Sequence, residues 1–367
     1  MVDPRVERLA KLCVQYSVAV KPKEKVLIRG SALAYPLINE IYKECLRSDA
    51  YPLILPGLDV DYTFFKFAKK HQLRGDFVRS VRKFILKKID VEINVFCHSN
   101  PKGLTGVDPA KIATLASAWR DYKDLWTKRQ ASGELRWTLL PYPITAGAQE
   151  AAMALPEYED FVYKSCLVDT ENPVREWKAI HTSQQRICKF LDKVDEIRIT
   201  GQDTDLTFSV KGRKWENCDG KLNMPDGEVF TAPVENSANG TIRFSYPAIY
   251  SGREVEDITL TFKDGKVEKA DAAKGNELLQ EILKVDGATR IGEAAVGTNY
   301  GITRFTKNML FDEKMGGTVH MALGDAYPQT GGLNRSAIHW DILKDMKKDG
   351  EIYADGKLIY KKGKFRV

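Results

Sequence analysis

The chain has 367 residues, of which 43% are hydrophobic and 29% charged, and its formal net charge is +6. A chain of this length exceeds one small core and suits two domains, and its composition is that of an ordinary globular protein. The positive charge is spread along the sequence and accompanies no nucleic-acid motif, so we expect a solvated surface and no nucleic-acid partner.

Apolar residues and cysteines indicate the compartment. No stretch approaches about 18 uninterrupted apolar residues, so we expect no membrane span. The N-terminal sequence MVDPRVERLAKLC carries charges throughout and has no apolar signal core. The six cysteines are scattered without a CxxC spacing, as in proteins that keep their thiols reduced. Together these features predict a cytoplasmic protein.

The first half of the chain alternates predicted helices and strands. Asp108 followed by Pro109 is typical of a helix start. In chain order, the patterns predict a helix at 5–17, a strand at 26–29, a helix at 35–47, a strand at 52–55, a helix at 64–71, a strand at 89–97, a helix at 109–128 and a strand at 136–141. This alternation predicts an α/β domain with an open, mainly parallel sheet.

Gly30 follows the first predicted strand, where a dinucleotide-binding loop would begin. The sequence GSALAYP, which starts at this glycine, has no G-x-G-x-x-G pattern, and the chain has no Walker A loop. We therefore interpret Gly30 as the end of a strand and expect no nucleotide cofactor.

The second half consists mainly of short alternating runs broken by Gly, Asn and Asp. Asp-Gly pairs at 264–265 and 355–356 each join two such runs, which is a hairpin signal. This change from alternating helices and strands to short strand-like runs predicts a β-rich α+β domain. We place the boundary near residue 190, which gives domains at 1–190 and 191–367.

Residue types that bind metals occur at alternate positions of two predicted strands. In IHWDI, His339 and Asp341 alternate with apolar residues, so on a strand their side chains face the same side. In TVHMAL, His320 likewise faces away from three apolar neighbours. With Glu293 in RIGEAAVGTN, these residues lie within roughly fifty positions and suggest a metal site.

Glu228, in NMPDGEVFTAP, is a further candidate. Its carboxylate follows a Pro-Asp-Gly turn at the expected start of a strand, where functional groups are commonly presented. Taken alone, a solvated turn acid is the simpler interpretation of this position.

Segments of the second half together resemble the aminopeptidase T family, in chain order NMPDGEVFTAP, IGEAAVGTN, GGTVHMALGDAYP, TGGLNRSAIHWD and DGKLIYKKGKF. These matches span roughly residues 220–365 and follow the family's order. The family consists of thermophilic-type metallo-aminopeptidases that depend on two divalent metal ions. The first half is similar to the family in its α/β texture and in its position before the catalytic domain.

The resemblance implies roles for particular residues. Tyr327, in GDAYP, matches the family's active-site tyrosine, and a phenol there could donate a hydrogen bond to a developing oxyanion. The implied metal ligands are Glu228, Glu293, His320, His339 and Asp341. The resemblance also implies peptide substrates with a free N-terminus and a homodimer.

The donor chemistry of this set agrees with a site for two divalent metal ions. Three carboxylates and two imidazoles suit zinc, cobalt, manganese or magnesium, and the set lacks the thiolates of a closed structural zinc site. With five protein ligands for two ions, at least one carboxylate would bridge. Two such ions about 3.5–4 Å apart can activate a water and polarise a carbonyl together.

We therefore interpret the chain as a metal-dependent aminopeptidase that releases N-terminal amino acids from short peptides. Two alternatives stay open. The same metals could serve a hydrolase of non-peptide amides or esters, or the α/β half could bind a ligand while the metal is structural. Glu313, shortly before the strand of His320, fits a proton shuttle or a ligand of the substrate ammonium as well as a solvated loop acid.

Overall fold

The computed structural model describes residues 3–367, and the chain forms two compact units. The first unit ends at Val174 and also includes Lys221–Met224, and the second comprises Arg175–Gly220 and Pro225–Val367. Compactness does not assign a function to either unit, so the functional domains at 1–190 and 191–367 stay predictions.

A parallel sheet forms the centre of the first unit. Its strands are β1 (Lys25–Ser31), β2 (Tyr51–Gly57), β3 (Val91–Phe96) and β4 (Arg136–Pro141). Their order is β2-β1-β3-β4, and every neighbouring pair is parallel. The continuous apolar run Val26, Leu27 and Ile28 is buried in β1, as suits a strand covered on both faces. The predicted open parallel sheet is confirmed.

Helices accompany this sheet. They are α1 (Pro4–Leu12), α2 (Tyr35–Arg47), α3 (Asp61–Phe67), α4 (Asp76–Leu86), α5 (Pro109–Ala118), α6 (Arg120–Ala131), α7 (Thr145–Glu150) and α8 (Leu155–Ser165). The helix predicted at 35–47 is confirmed as α2, whose Leu37, Ile41 and Cys45 form one buried face. Within residues 3–367, no helix is both long and apolar enough to cross a membrane.

The long helix predicted at 109–128 is wrong in its centre, because the structure has two helices there. α5 begins as predicted, with Asp108 as its N-cap. The interruption falls at Trp119, whose ψ of 5° leaves the helical range. The guanidinium of Arg79 on α4 donates to the Ala118 carbonyl, which a continuous helix would use internally. This partner belongs to another helix and leaves no local signal in the sequence.

Shorter helices are misplaced or absent in the sequence prediction. The helix predicted at 64–71 begins at Asp61 and ends at Phe67. α4, α7 and α8 are not predicted at all. In α4 only the C-terminal end packs in a core, through Leu86, whereas Phe77 is 80% exposed and Phe84 63% exposed. Sequence patterns predict a helix from an apolar face that packs against a core. They are uninformative where that face is exposed to solvent.

The second unit is β-rich, as predicted. Its helices are α9 (Pro173–Leu191), which begins just before the unit does, α10 (Asn276–Ile282) and α11 (Met309–Asp312). Its strands are β5 (Glu196–Gly201), β6 (Thr204–Ser209), β7 (Glu216–Cys218), β8 (Glu228–Thr231), β9 (Asn239–Phe244), β10 (Ala248–Tyr250), β11 (Arg253–Lys263), β12 (Lys266–Lys274), β13 (Ile291–Gly297), β14 (Thr318–Gly324), β15 (His339–Asp345), β16 (Glu351–Ala354), β17 (Lys357–Lys361) and β18 (Lys364–Phe365).

These strands form two antiparallel sheets. The nine-stranded sheet has the order β10-β11-β9-β6-β5-β16-β17-β18, with β12 beside β11. The five-stranded sheet has the order β15-β14-β13-β8-β7. Both predicted hairpins are confirmed, since Asp-Gly turns join β11 to β12 and β16 to β17. Both residues of each turn have positive φ, between 47° and 76°, which Asp-Gly tolerates better than most pairs.

A single hydrophobic core spans the two sheets of the second unit. Apolar side chains of β14 and β15 point into it, among them Val319, Met321 and Trp340. Because side chains alternate along a strand, the polar residues between them lie on the opposite face of the five-stranded sheet. The core therefore fixes the strands that carry His320, His339 and Asp341 without using these side chains.

Asp312, the last residue of α11, is a buried carboxyl outside the predicted ligand set. Its Oδ1 accepts hydrogen bonds from the Thr306 amide at 2.7 Å and the Thr306 hydroxyl at 2.9 Å. Burial raises the pKa of Asp312 to about 7, against the lowering effect of these hydrogen bonds. The carboxyl therefore holds its proton more tightly in the folded chain than in the unfolded one.

We expect Asp312→Asn to stabilise the chain increasingly as the pH rises from about 4 to about 7. Over this range the unfolded carboxyl, with an ordinary pKa of 3.8, ionises before the folded one, so its contribution to stability falls as the pH rises. The relative gain of the variant is at most on the order of 4 kcal/mol. Urea unfolding of both chains at low and neutral pH measures it, and a pH-independent difference would contradict the assignment.

Candidate metal centre

The five predicted metal ligands lie on adjacent strands of the five-stranded sheet. Glu228 begins β8, Glu293 is on β13 and His320 is on β14. His339 and Asp341 are on β15 at alternate positions, as predicted. The register pairs Gly297 with Glu228 and Ala322 with both Glu293 and Asp341, which brings side chains from distant parts of the sequence to one area of the sheet.

Glu293 lies between the two imidazoles. Its Oε1 is 3.7 Å from Nε2 of His320, and its Oε2 is 3.0 Å from Nε2 of His339. The other two carboxylates flank this centre. Oε2 of Glu228 is 3.4 Å from Nε2 of His320, and Oδ1 of Asp341 is 3.6 Å from Nε2 of His339. The structure thus brings all five side chains into one cluster.

The cluster runs from a buried end to a partly exposed end. The side chains of His320, Glu293 and Glu228 are 1%, 5% and 7% exposed. The side chains of His339 and Asp341 are 25% and 14% exposed. A molecule from solvent can therefore approach the cluster at the β15 end.

Strong mutual electrostatics shift the pKa values of these groups. Burial alone would raise the pKa of Glu293, but hydrogen bonds from His320 and His339 hold it at about 2. Burial alone would lower the pKa of His339, but Asp341 and Glu293 raise it to about 11. The pKa of His320 is also raised, since Glu293 and Glu228 outweigh its burial. The carboxylates therefore create a strong preference for positive charge between them.

A backbone carbonyl orients His339. Nδ1 of the ring lies 2.8 Å from the carbonyl oxygen of Asp325, to which it donates. A neutral imidazole held in this way presents the lone pair of Nε2 to Glu293 and Asp341, so a cation is needed between them. Gly292 on β13 permits this arrangement, because a Cβ there would lie 2.4 Å from the same oxygen.

Unpartnered oxygen atoms provide a test of the fit to metal ions. Oε2 of Glu228 and Oδ1 of Asp341 are buried and have no hydrogen-bond partner within residues 3–367. Buried carboxylate oxygens without partners are rare, and a cation is a usual reason for one. Donor atoms of Glu293, His339 and Asp341 also lie within 4.8 Å of one another. The oxygen and nitrogen donors therefore fit divalent metal ions.

Tyr327, the predicted catalytic residue, lies beside this cluster just after β14. Its ring centre is 4.9 Å from that of His339 and 5.3 Å from that of Phe230. Burial, with the charges of Glu293 and Asp341, raises the pKa of Tyr327, so the phenol keeps its proton at neutral pH. The residue is nevertheless 40% exposed. A protonated hydroxyl is thus available next to His339.

Lys314 is a charged neighbour that the sequence analysis misses. It is 1% exposed, and its Nζ lies 3.6 Å from Oε1 of Glu228 and contacts the carboxylate of Glu313. Glu313 is thus an ion-pair partner of a buried lysine and not a fully solvated loop acid, its side chain being 18% exposed. In the sequence Lys314 follows two acidic residues in the segment between α11 and β14, and nothing in this local pattern reveals the contact with Glu228.

The fold and the cluster together define a protein with a candidate site for divalent metal ions: a parallel α/β unit, then a β-rich unit with three carboxylates and two imidazoles on adjacent strands. The family model described as thermophilic metalloprotease (M29) matches residues 2–365. The chain belongs to this family and is a metal-dependent peptidase. The match extends through the first half, beyond the segments at 220–365 that carry the resemblance in the sequence.

Named relatives agree with this assignment. Aminopeptidase 2 of Geobacillus stearothermophilus is 27% identical over a 402-residue alignment that covers 97% of this chain and 95% of the relative. Aminopeptidase T of Thermus thermophilus is 29% identical over 300 residues, covering 70% of this chain and 72% of the relative. The solved structure of wild-type AmpT from Thermus thermophilus is similar with a TM-score of 0.86, 22% identity and 99% coverage of both chains. This last likeness confirms the predicted fold.

Proposed function

We propose that the chain is an aminopeptidase that works with two divalent metal ions at the cluster on the five-stranded sheet. The observation that carries this proposal is the position of Glu293, with one carboxylate oxygen near the imidazole of His320 and the other near that of His339. Family membership supplies the metal dependence and the hydrolysis of peptide bonds. The relatives described above are named aminopeptidases, which favours action at a free N-terminus.

Each ligand has a place in this proposal. Glu293 would help to hold the ions together with both histidines, since its two oxygens face different imidazoles. Glu228 with His320 would hold the ion at the buried end, and His339 with Asp341 the ion at the exposed end. Zinc, cobalt, manganese and magnesium all suit such a donor set. When bound, the ions would polarise the scissile carbonyl and lower the pKa of a water molecule.

The chain's own residues then perform the remaining tasks. The Asp325 carbonyl keeps the His339 ring in one orientation, so Nε2 stays directed at the cluster. Tyr327 keeps its hydroxyl proton and can donate it in a hydrogen bond to the oxyanion that develops at the carbonyl. Because the β15 end is the exposed one, the substrate would enter beside His339 and Tyr327.

Rival functions make different use of the same cluster. A hydrolase of non-peptide amides or esters would need the same metals, but the names of the relatives favour peptides. A ligand-binding protein with a structural metal would not need ligands that reach the exposed end, and the observed exposure of His339 counts against it. We further propose that residues 191–367 carry the catalytic function and that residues 1–190 either form a wall of the active site or mediate association. We also propose that the protein is cytoplasmic.

A homodimer is also proposed, with α4 as a contact surface. Phe77, Val81 and Phe84 recur at positions i, i+4 and i+7, which places them on one helix face, and they are 80%, 43% and 63% exposed. Such a contiguous apolar stripe is typical of a surface that another protein covers. A second copy of this chain is the partner that the family resemblance implies.

The proposed function predicts two properties of the purified chain: it should hydrolyse aminoacyl chromogenic substrates, and their N-acetylated forms should resist it. A strong chelator should abolish this activity, and added zinc or cobalt should restore it. Glu293→Gln should lose both metal and activity, because the amide keeps the shape of the side chain but lacks the negative charge that attracts a metal ion. The assays measure the activity of each form, and elemental analysis measures its bound metal.

Each outcome of this experiment discriminates between functions. Comparable cleavage of N-acetylated substrates would identify an endopeptidase or amidase. Preferential cleavage of simple esters would favour the non-peptide hydrolase. Full activity in metal-free chain would contradict the role of the cluster altogether.

We expect Tyr327→Phe to lower kcat by about 10²–10³-fold, the usual cost of one lost oxyanion donor. The KM and the metal stoichiometry should change little, because the hydroxyl acts in the transition state. Steady-state kinetics and metal analysis of the variant provide the measurement. A near-silent substitution would mean that Tyr327 only packs against His339, and loss of one metal ion would make the tyrosine a ligand.

The dimer proposal predicts that Phe77→Asp combined with Phe84→Asp yields a monomer in sedimentation equilibrium, since two charges cannot be buried in an apolar contact. Leu46→Asp provides the control, because Leu46 is 53% exposed on the separate helix α2. A natural chain that sediments as a monomer, or a double variant that stays dimeric, would rule out this surface.

A further inference from the structure

Lys314 is a buried cation whose position the proposed mechanism does not explain. It lies between α11 and β14 and is 1% exposed. A lysine is almost never buried so completely unless an anion accompanies it. Here the ammonium contacts Glu313 and lies 3.6 Å from Oε1 of Glu228. The lysine therefore joins a loop acid to a proposed metal ligand.

The contact divides the two oxygens of Glu228 between different partners. Oε1 faces the ammonium of Lys314, whereas Oε2 lies 3.4 Å from Nε2 of His320. Among the described residues Oε2 has no hydrogen-bond partner, so it is the oxygen left for a metal ion. A carboxylate with one oxygen held by a cation cannot rotate freely, which restricts the direction from which it can bind a metal ion.

The backbone around Glu228 is already fixed by a buried amide. Nε2 of Gln184, a residue that is 2% exposed, donates to the carbonyl of Cys218 at 2.9 Å and to that of Glu228 at 3.2 Å. These bonds position the main chain of β7 and β8 but not the carboxylate. The direction of the Glu228 side chain therefore depends on the groups around it, and Lys314 supplies the positive one.

A second group of potential ligands lies on the far side of Glu228. Donor atoms of Cys218, Asp226 and Glu228 all lie within 4.8 Å of one another. Asp226 is 2% exposed, and its buried Oδ1 has no hydrogen-bond partner in the part of the chain that the structure describes. This set of one thiolate and two carboxylates could compete with the imidazole-containing cluster for zinc or cobalt. The ammonium of Lys314 lies 3.6 Å from Oε1 of Glu228, a member of this group, so the group already has a cation beside it.

We propose that Lys314 is a positioning residue, which directs Oε2 of Glu228 towards His320 and keeps metal ions out of the Cys218–Asp226–Glu228 group. The inference rests on the proposed role of Glu228 as a metal ligand. An ammonium is suited to this task because it balances the charge of the carboxylates and, while protonated, offers no lone pair to a metal. Metal would thus be confined to the imidazole side of Glu228.

The test compares Lys314→Met with Lys344→Met. Lys344 on β15 is a matched control, because it is 3% exposed and donates to two backbone carbonyls, those of Gln202 and Arg243. Zinc titration calorimetry of the metal-free chains should show a 10–100-fold loss of affinity for one ion in Lys314→Met, the usual effect of losing a group that supports a ligand. Lys344→Met should lose thermal stability without a change of affinity.

A spectroscopic measurement detects misplaced metal directly. Cobalt(II) added to Lys314→Met should produce a thiolate-to-cobalt charge-transfer band, and Cys218→Ser in the same background should remove it. The natural chain should bind cobalt without that band. Lys314→Arg, which keeps a cation, should also lack it.

Two results would overturn the inference: unchanged zinc affinity in Lys314→Met, or a thiolate band in the natural chain that Cys218→Ser removes. The second measurement needs only the natural chain and Cys218→Ser, so it decides the matter even where Lys314→Met does not fold. A natural chain that binds no metal would instead refute the proposed function, and the inference with it.

Discussion

Buried negative charge on the five-stranded sheet is the constraint on which the site depends. Glu228 and Glu293 are 6% and 4% exposed, and isolated carboxylates at such positions would be strongly disfavoured. The imidazoles of His320 and His339 face them with ring nitrogens, whose lone pairs add further negative potential unless a proton or a metal ion intervenes. Cation binding therefore follows from the arrangement of the side chains, before any particular reaction is considered.

The sheet makes this arrangement rigid. Four neighbouring strands contribute the five side chains, and a well-packed core on the opposite face holds these strands in register. Sites built on regular elements keep their geometry better than sites built on loops. Only Tyr327 comes from an irregular segment, and it is also the most exposed group of the site. The division suits a rigid framework for the five proposed metal ligands and a more mobile position for Tyr327, the proposed hydrogen-bond donor.

The sequence revealed those features whose cause is local. His339 and Asp341 could be predicted to share a face because strand alternation needs only neighbouring residues, and Asp-Gly turns carry their own conformational preference. Glu228 could not be singled out by pattern, and only the resemblance to a family selected it. The contact of Arg79 with Ala118 and that of Lys314 with Glu228 involve partners on other elements. The first contact accompanies an interruption of the helix predicted at 109–128, and the second brings Lys314 to the site. Neither tertiary contact could be predicted from local sequence patterns.

The hydrogen bond from His339 to the Asp325 carbonyl has a consequence for sequence variation. A main-chain oxygen is present whatever side chain follows it, so the support of this imidazole is indifferent to the identity of residue 325. Random drift or deliberate redesign can therefore alter that position while the ring keeps its acceptor. The restriction is transferred to Gly292, where the approach of the carbonyl leaves no room for a side chain. At this place the polar residue 325 should therefore tolerate substitution, whereas Gly292, which has no side chain, should not.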